Sequence, residues 1–88
     1  MPELRLTRRA KEDLHALPEA VREAVLGTLT MLEREPEAGG KRLLGRLAGF
    51  WSARVGSYCV LYTIESSGVV VRAIRHRAVA YRRRHEKR

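Results

Sequence analysis

The sequence predicts an α+β fold in which an α-helical hairpin packs on one face of a twisted antiparallel sheet. Three observations support this: apolar residues recur at helical spacing before residue 36, they alternate with other residues after residue 50, and Pro or Gly separates the segments. The predicted order is an N-terminal strand, two helices, three strands and a short C-terminal element. We expect residues 1–88 to form a single domain, with a basic and disordered tail at about 83–88.

The N-terminal part of the chain predicts a short strand and then the helical hairpin. Leu4 and Leu6 alternate with charged residues, and Thr7 is a suitable N-cap for the first helix. Pro18 separates the two helices, and the second is expected to end at Pro36. The apolar stripes are Ala10, Leu14 and Leu17 in the first helix and Val21, Val25, Leu29 and Leu32 in the second.

The residues after Phe50 predict a three-stranded meander with a defined register. Gly56-Ser57 suits a two-residue hairpin turn, and residues 65–68 supply a second turn. Counting outward from these turns gives the expected cross-strand pairs: Val55/Tyr58, Arg54/Cys59, Ala53/Val60, Trp51/Tyr62, Ile64/Val69, Tyr62/Val71 and Val60/Ala73.

This register sorts the strand residues into two faces of different chemistry. The covered face is almost wholly apolar, so the helical hairpin is expected to pack on it. It is predicted to bear Trp51, Ala53, Val55, Tyr58, Val60, Tyr62, Ile64, Val69, Val71 and Ala73. The opposite face, called the open face, is predicted to bear Ser52, Arg54, Cys59, Leu61, Thr63, Val70, Arg72, Ile74 and His76. Arg75 is expected to point away from the open face.

The charge distribution predicts a polyanionic partner. Residues 1–40 contain six Lys or Arg and eight Asp or Glu, whereas residues 41–88 contain twelve and two. A positive field confined to one part of a chain attracts polyanions, of which nucleic acid and acidic protein segments are the candidates. The basic residues that we expect to contact nucleic acid, with RNA among the candidates, are Lys41, Arg42, Arg46, Arg72, Arg82 and Arg83.

Several classes of function and location are disfavoured by the sequence. No apolar run approaches the ~20 residues that span a bilayer, the first residues lack the apolar core of a signal peptide, and the single Cys59 suits a reducing compartment. We therefore expect a cytoplasmic protein with no membrane partner. The three histidines lack Cys or acidic neighbours at metal-ligand spacing, so neither a metal nor a small-molecule cofactor is expected.

Two segments carry a resemblance to a known family. Residues 47–62, with their Arg-Val-Gly-Ser-Tyr hairpin, and residues 71–81, with His76-Arg77 followed by Tyr81, resemble the RelE/ParE family of toxin–antitoxin toxins. The resemblance implies a toxin that a cognate antitoxin holds inactive. RelE-like members cut messenger RNA in the ribosomal A site without a metal, and ParE-like members poison DNA gyrase.

The resemblance also implies catalytic roles for particular residues. Arg77 matches the arginine that holds the scissile phosphate, Tyr81 matches the C-terminal tyrosine that acts as base or stacks on a nucleotide, and Arg54 matches a basic residue before the hairpin. His76 is a further candidate, because an ordinary histidine pKa lies near neutrality and suits acid–base work. The alternative interpretations are a structural His76 and a Tyr81 that anchors the C-terminal segment by packing.

Three residues depart from the pattern of the ribonuclease members. Cys59 stands where the family has arginine, and Ser52 and Phe50 stand where lysines are frequent. The leading hypothesis is a ribosome-dependent mRNA endoribonuclease that is metal-independent and has the ribosome, mRNA and an antitoxin as partners. The departures favour two alternatives: inhibition of gyrase, or a member that has lost its activity and only binds its antitoxin.

Overall fold

The computed structural model describes residues 3–77, which form a five-stranded sheet and two helices. The helices are α1 (Arg8–His15) and α2 (Glu19–Arg34). The strands are β1 (Glu3–Leu6), β2 (Lys41–Arg42), β3 (Trp51–Val55), β4 (Tyr58–Glu65) and β5 (Gly68–His76). Across the sheet their order is β1-β5-β4-β3-β2. This arrangement confirms the predicted fold class.

Two details of the sheet go beyond the prediction. β1 lies parallel to β5, with Leu4 opposite Val69 and Leu6 opposite Val71, so the antiparallel meander gains one parallel neighbour. A tight turn forces two strands to be antiparallel, but β1 and β5 are separated by both helices and the meander, so packing sets their direction. The basic connector after α2 also contains the short edge strand β2 and a 3-10 turn at Gly45–Leu47.

The helical hairpin is present as the sequence predicts, but α1 ends at His15, before Leu17, which was expected to lie in it. The Thr7 hydroxyl accepts a hydrogen bond from the Ala10 N–H at 3.1 Å and so caps α1. Leu17 is buried just after α1, and Pro18 is the N-cap of α2. α2 ends at Arg34, two residues before Pro36. In the segment that the structure describes, neither helix is long and apolar enough to cross a membrane.

The core lies between the helices and the covered face of the sheet. Its fully buried members from α2 and the sheet are Val25, Leu32, Val60, Tyr62, Val69 and Val71. β5 continues beyond the end of β1, and there two side chains, one from the N-cap of α1 and one from α1 itself, form hydrogen bonds with the backbone of β5. The Thr7 hydroxyl donates to the Arg72 carbonyl at 3.2 Å, and the Asp13 carboxylate accepts from the Ile74 N–H at 3.0 Å. These contacts satisfy backbone groups that would otherwise lack partners.

The register of the meander is confirmed except near the end of β5. All the predicted β3–β4 pairs are present, as are Ile64/Val69 and Tyr62/Val71. A bulge then shifts the register, so that Leu61 lies opposite Ala73 and Val60 lies opposite Ile74. The predicted pair Val60/Ala73 is therefore wrong. The extra residue of β5 exchanges the two faces for every residue that follows it.

The bulge corrects the predicted position of four side chains. Ile74 and His76 lie on the covered face, where Ile74 joins the core and the His76 ring meets the Tyr58 ring edge-on at 4.9 Å. Ala73 and Arg75 lie on the open face instead, and Arg75 is opposite Cys59. No Gly or Pro marks this bulge in the sequence, so alternation alone could not reveal it.

Substitution by alanine is expected to change the stability of the protein in opposite directions at two glycines, because only Gly68 lies where β1 and β5 approach closely. Gly68 has φ +143°, and a Cβ there would run into the backbone of Glu3. Gly27 lies inside α2 with nothing within 4 Å of an added Cβ. We expect Gly68→Ala to lower the free energy of unfolding by roughly 2 kcal/mol or more. We expect Gly27→Ala to raise it by about 0.5–1 kcal/mol.

Urea denaturation of the two variants measures both effects. If Gly68→Ala were as stable as the parent protein, the parallel β1–β5 pairing would be contradicted. Gly27→Ala is the matched control, because it makes the same chemical change where helix propensity alone decides the result.

Candidate nucleic-acid interface

A cavity of about 430 Å³ lies between the open face and the loop that follows α2. Its lining residues are Ala38, Gly39, Gly40, Lys41, Leu43, Ser52, Arg54, Cys59 and Arg77. Three of these side chains are cationic and none is a carboxylate. A concave surface of this kind attracts anions, because several cationic side chains are concentrated in it.

The three cations come from separate parts of the chain. Lys41 lies opposite Ser52 in the β2–β3 pairing and therefore shares its face, and Arg54 follows on the same face of β3. Arg77 comes directly after β5, and its backbone N–H donates to the Ser57 carbonyl in the β3–β4 turn at 2.7 Å. The fold thus brings together Arg54 and Arg77, two of the predicted catalytic residues, and Lys41, one of the predicted RNA contacts.

Tyr62 ties one wall of this cavity to the core. Its hydroxyl donates to the Pro36 carbonyl at 2.6 Å, and its ring lies 6.3 Å from that of Trp51. Gly40 lies against the phenol, where a Cβ would run into the hydroxyl group. Burial raises the pKa of Tyr62 above 10.0, so the hydroxyl remains a donor. The loop at 36–40 is consequently held in place by its contacts with the buried Tyr62 side chain.

Arg72 is occupied by neighbours on the open face. Its Nη2 lies 3.2 Å from the Glu65 carboxylate, and its Nε donates to the Thr63 hydroxyl at 3.2 Å. The Thr63 hydroxyl donates in turn to Glu65 at 2.9 Å. Because the ion pair is solvent-exposed, it contributes less than about 1 kcal/mol and can open. Arg72 is therefore partly neutralised by Glu65.

The remaining predicted RNA contacts lie apart from the cavity or outside the described residues. Arg42 lies opposite Trp51 and so faces away from Lys41 on the two-residue strand β2. Arg46 is exposed on the 3-10 turn. Arg82 and Arg83, with the rest of the predicted tail, lie outside residues 3–77.

The two predicted proton-transfer residues are not among the described lining of the cavity. His76 contacts Tyr58 on the covered face, and Tyr81 lies outside the described residues. What the cavity offers is two guanidinium groups and one ammonium group, which can bind a phosphate and stabilise charge that develops on it. Within residues 3–77, no three His, Cys, Asp or Glu side chains are grouped so that they could hold a metal ion.

Sequence reasoning missed that Arg75 lies on the open face and that the loop at 38–40 lines the cavity. Alternation along β5 placed Arg75 on the wrong face, and only the bulge corrects this. The paired glycines at 39 and 40 were a visible signal, because residues without side chains permit close approach to the Tyr62 ring.

Comparison with known proteins shows the family. Residues 4–81 match the family described as the ParE toxin of type II toxin-antitoxin system, parDE. The chain is 45% identical over 83 residues to Toxin RelG of Mycobacterium tuberculosis, which covers 91% of this chain and 95% of that protein. The chain therefore belongs to the RelE/ParE family and is a toxin of a type II toxin–antitoxin system.

Solved structures agree with this assignment. The toxin–antitoxin complex RelBE2 from Mycobacterium tuberculosis contains a chain that matches with a TM-score of 0.80 and 41% identity, covering 88% of this chain and 100% of that one. The chromosomal ParDE system of P. aeruginosa matches with a TM-score of 0.73 at 17% identity, covering 86% of this chain and 96% of that one. The second likeness shows the fold alone. Structures named for RelE and for ParE thus share this architecture.

The anchoring of the cavity wall predicts a measurable cost for Tyr62→Phe. The substitution leaves the Pro36 carbonyl without its donor and should lower the free energy of unfolding by about 1 kcal/mol. It should also change the pH dependence. Because burial raises the pKa of the folded-state phenol, the stability that it contributes is fully present below pH 10 and is lost as pH rises further.

Denaturant unfolding of both proteins between pH 8 and 11 checks this expectation. The parent protein should lose more stability than Tyr62→Phe over that range. Equal losses in the two proteins would contradict a buried, hydrogen-bonded phenol at this position.

Proposed function

We propose that this toxin inhibits translation by cutting messenger RNA on the ribosome, and that its cavity binds the scissile phosphate. The observation that carries the proposal is the convergence of Lys41, Arg54 and Arg77 on one cavity, in which none of the lining residues among 3–77 is a carboxylate. A guanidinium group presents two N–H donors to two phosphate oxygens, which suits both binding and stabilisation of the transition state.

In the proposed reaction, a ribose 2′-oxygen attacks the adjacent phosphorus and the 5′-oxygen of the next nucleotide leaves. The products are a 2′,3′-cyclic phosphate and a 5′-hydroxyl end. Arg54 and Arg77 hold the phosphate, one further group must take the 2′-hydroxyl proton, and a proton donor must protonate the departing 5′-oxygen. His76 lies on the covered face against Tyr58, so Tyr81 is the better candidate for proton transfer.

We propose a cognate antitoxin as the protein partner, in the cytoplasm. The matching structures from Mycobacterium tuberculosis and Pyrococcus horikoshii are described as a toxin-antitoxin complex and a RelE–RelB complex, respectively. Residues 41–88 of this chain carry twelve basic and two acidic residues. An acidic or mixed-charge antitoxin segment can neutralise that part of the toxin and exclude RNA from the cavity.

Inhibition of DNA gyrase is the second candidate. Two observations favour it: the centre of the open face has Cys59 instead of a cation, and His76 is turned away from that face. A structure described as a ParDE system also shares the fold.

The ribonuclease proposal predicts that Arg77→Ala lowers cleavage of messenger RNA on programmed ribosomes at least a hundredfold, roughly the effect of removing one strong donor from a transition-state site. Primer extension locates the cut, and circular dichroism checks that the variant is folded. Arg34→Ala is the matched control, because Arg34 is exposed at the end of α2 and outside the cavity. We expect it to cut like the parent protein.

Two other outcomes would overturn the ribonuclease proposal. The first is equal cleavage by Arg77→Ala and the parent protein. The second is a folded parent protein that cuts no messenger RNA but inhibits DNA supercoiling by gyrase, which would establish the second candidate.

The antitoxin proposal predicts a rise in thermal stability. A partner that binds only the folded toxin at a free concentration 100 times its Kd adds about 2.7 kcal/mol. Thermal unfolding of the toxin with and without the product of the adjacent gene measures the shift. An unchanged melting temperature and undiminished activity in the mixture would contradict the pairing.

A further inference from the structure

We propose that Arg75 is a phosphate-binding residue, and that Arg75 and Arg54 together form a clamp for the RNA backbone over Cys59. The inference deepens the proposed function, since it rests on RNA as the ligand of the open face. It assigns a role to a side chain that strand alternation predicts on the opposite side of the sheet.

The bulge in β5 places Arg75 on the open face. β5 carries one extra residue opposite the Leu61/Tyr62 junction, and from there Val60 lies opposite Ile74 and Cys59 opposite Arg75. The burial pattern supports this register independently, because Ile74 is 4% exposed and belongs to the core cluster. Its neighbour Arg75 must then point to the other side of the sheet.

Arg54, Cys59 and Arg75 form one row across three adjacent strands. Cys59 is the register partner of Arg54 on one side and of Arg75 on the other. Neighbouring strands lie about 4.8 Å apart, so the Cα atoms of the two arginines are roughly 10 Å apart. Both side chains are long and the residue between them is short. Two guanidinium groups can therefore approach one anion from opposite sides above the thiol.

The charges of this row are not neutralised by the rest of the described chain. Arg72 is paired with Glu65 and Arg9 with Asp13, whereas neither Arg54 nor Arg75 has a carboxylate within ion-pair distance among residues 3–77. The sequence has no Asp or Glu between Glu37 and Glu65. A bound phosphate would supply the negative charge that the row lacks.

The row of Arg54, Cys59 and Arg75 begins in the cavity and continues beyond it toward β5. Arg54 and Cys59 line the cavity, and Arg75 lies one strand beyond Cys59, on the side away from Lys41. A polynucleotide bound from Lys41 toward β5 would meet a continuous series of cations. The clamp thus provides a guanidinium group next to Cys59, a position where cysteine replaces the arginine of the ribonuclease members.

The first test measures binding of a short single-stranded uridine oligonucleotide to the whole protein by fluorescence anisotropy at several salt concentrations. We expect Arg75→Gln to weaken binding about tenfold, as for loss of one phosphate contact, and to reduce the salt slope by about one. Arg34→Gln makes the same chemical change on α2, outside the cavity, and should bind like the parent protein.

A second variant separates phosphate binding from a structural role. Cys59→Arg introduced into the Arg75→Gln protein returns a guanidinium group to the same row, one strand away. We expect it to restore most of the affinity and the parent salt slope. If Arg75 served only to stabilise the fold, Arg75→Gln would lower the free energy of unfolding and Cys59→Arg would not restore RNA binding.

The outcomes distinguish this inference from the proposed ribonuclease activity. Parent-like RNA binding by Arg75→Gln, in a protein that still cuts messenger RNA on ribosomes, would overturn the clamp and leave the ribonuclease proposal standing. A parent protein that binds RNA through Arg75 but makes no cut would support the clamp and overturn the ribonuclease proposal. A parent protein that neither binds nor cuts RNA would overturn both.

Discussion

The extra residue in β5 decides what each face of the sheet carries. Before the bulge, Val69 and Val71 alternate into the core, and after it the even-numbered Ile74 takes the core position. Without this shift, Ile74 would be left on the open face and Arg75 would be buried under the helices. Burying an unpaired guanidinium group costs far more free energy than one irregular backbone pair, so the bulge is the favourable solution.

The same shift separates the chemistry of the two faces at the C-terminal end of β5. His76 is placed beside Tyr58 on the covered face, whereas Arg75 joins Arg54 and Cys59 on the open face. The cavity depends on a second constraint, the hydrogen bond from buried Tyr62 to the Pro36 carbonyl, which fixes the loop along one wall. A phosphate site needs both features, because its cations must be held in place before the ligand arrives.

Membership of the RelE/ParE family leaves the target of the toxin open, because the fold supports more than one activity. The choice between these activities therefore depends on the residues of the open face. Cys59 and the position of His76 weigh against a ribonuclease, whereas the cations at Lys41, Arg54 and Arg77 support one. Arg75 bears directly on this balance, since it provides a guanidinium group beside Cys59.

The sequence by itself determined the helices, their caps, the two hairpin turns and the segregation of charge. These depend on local patterns: Thr7 at a helix start, Pro18 between two stripes, and Gly56-Ser57 at a turn. Only the tertiary structure decided the parallel pairing of β1, the bulge at residue 72 and hence the faces of His76 and Arg75. Those features follow from how distant segments pack against one another, which a period of two along one strand does not record.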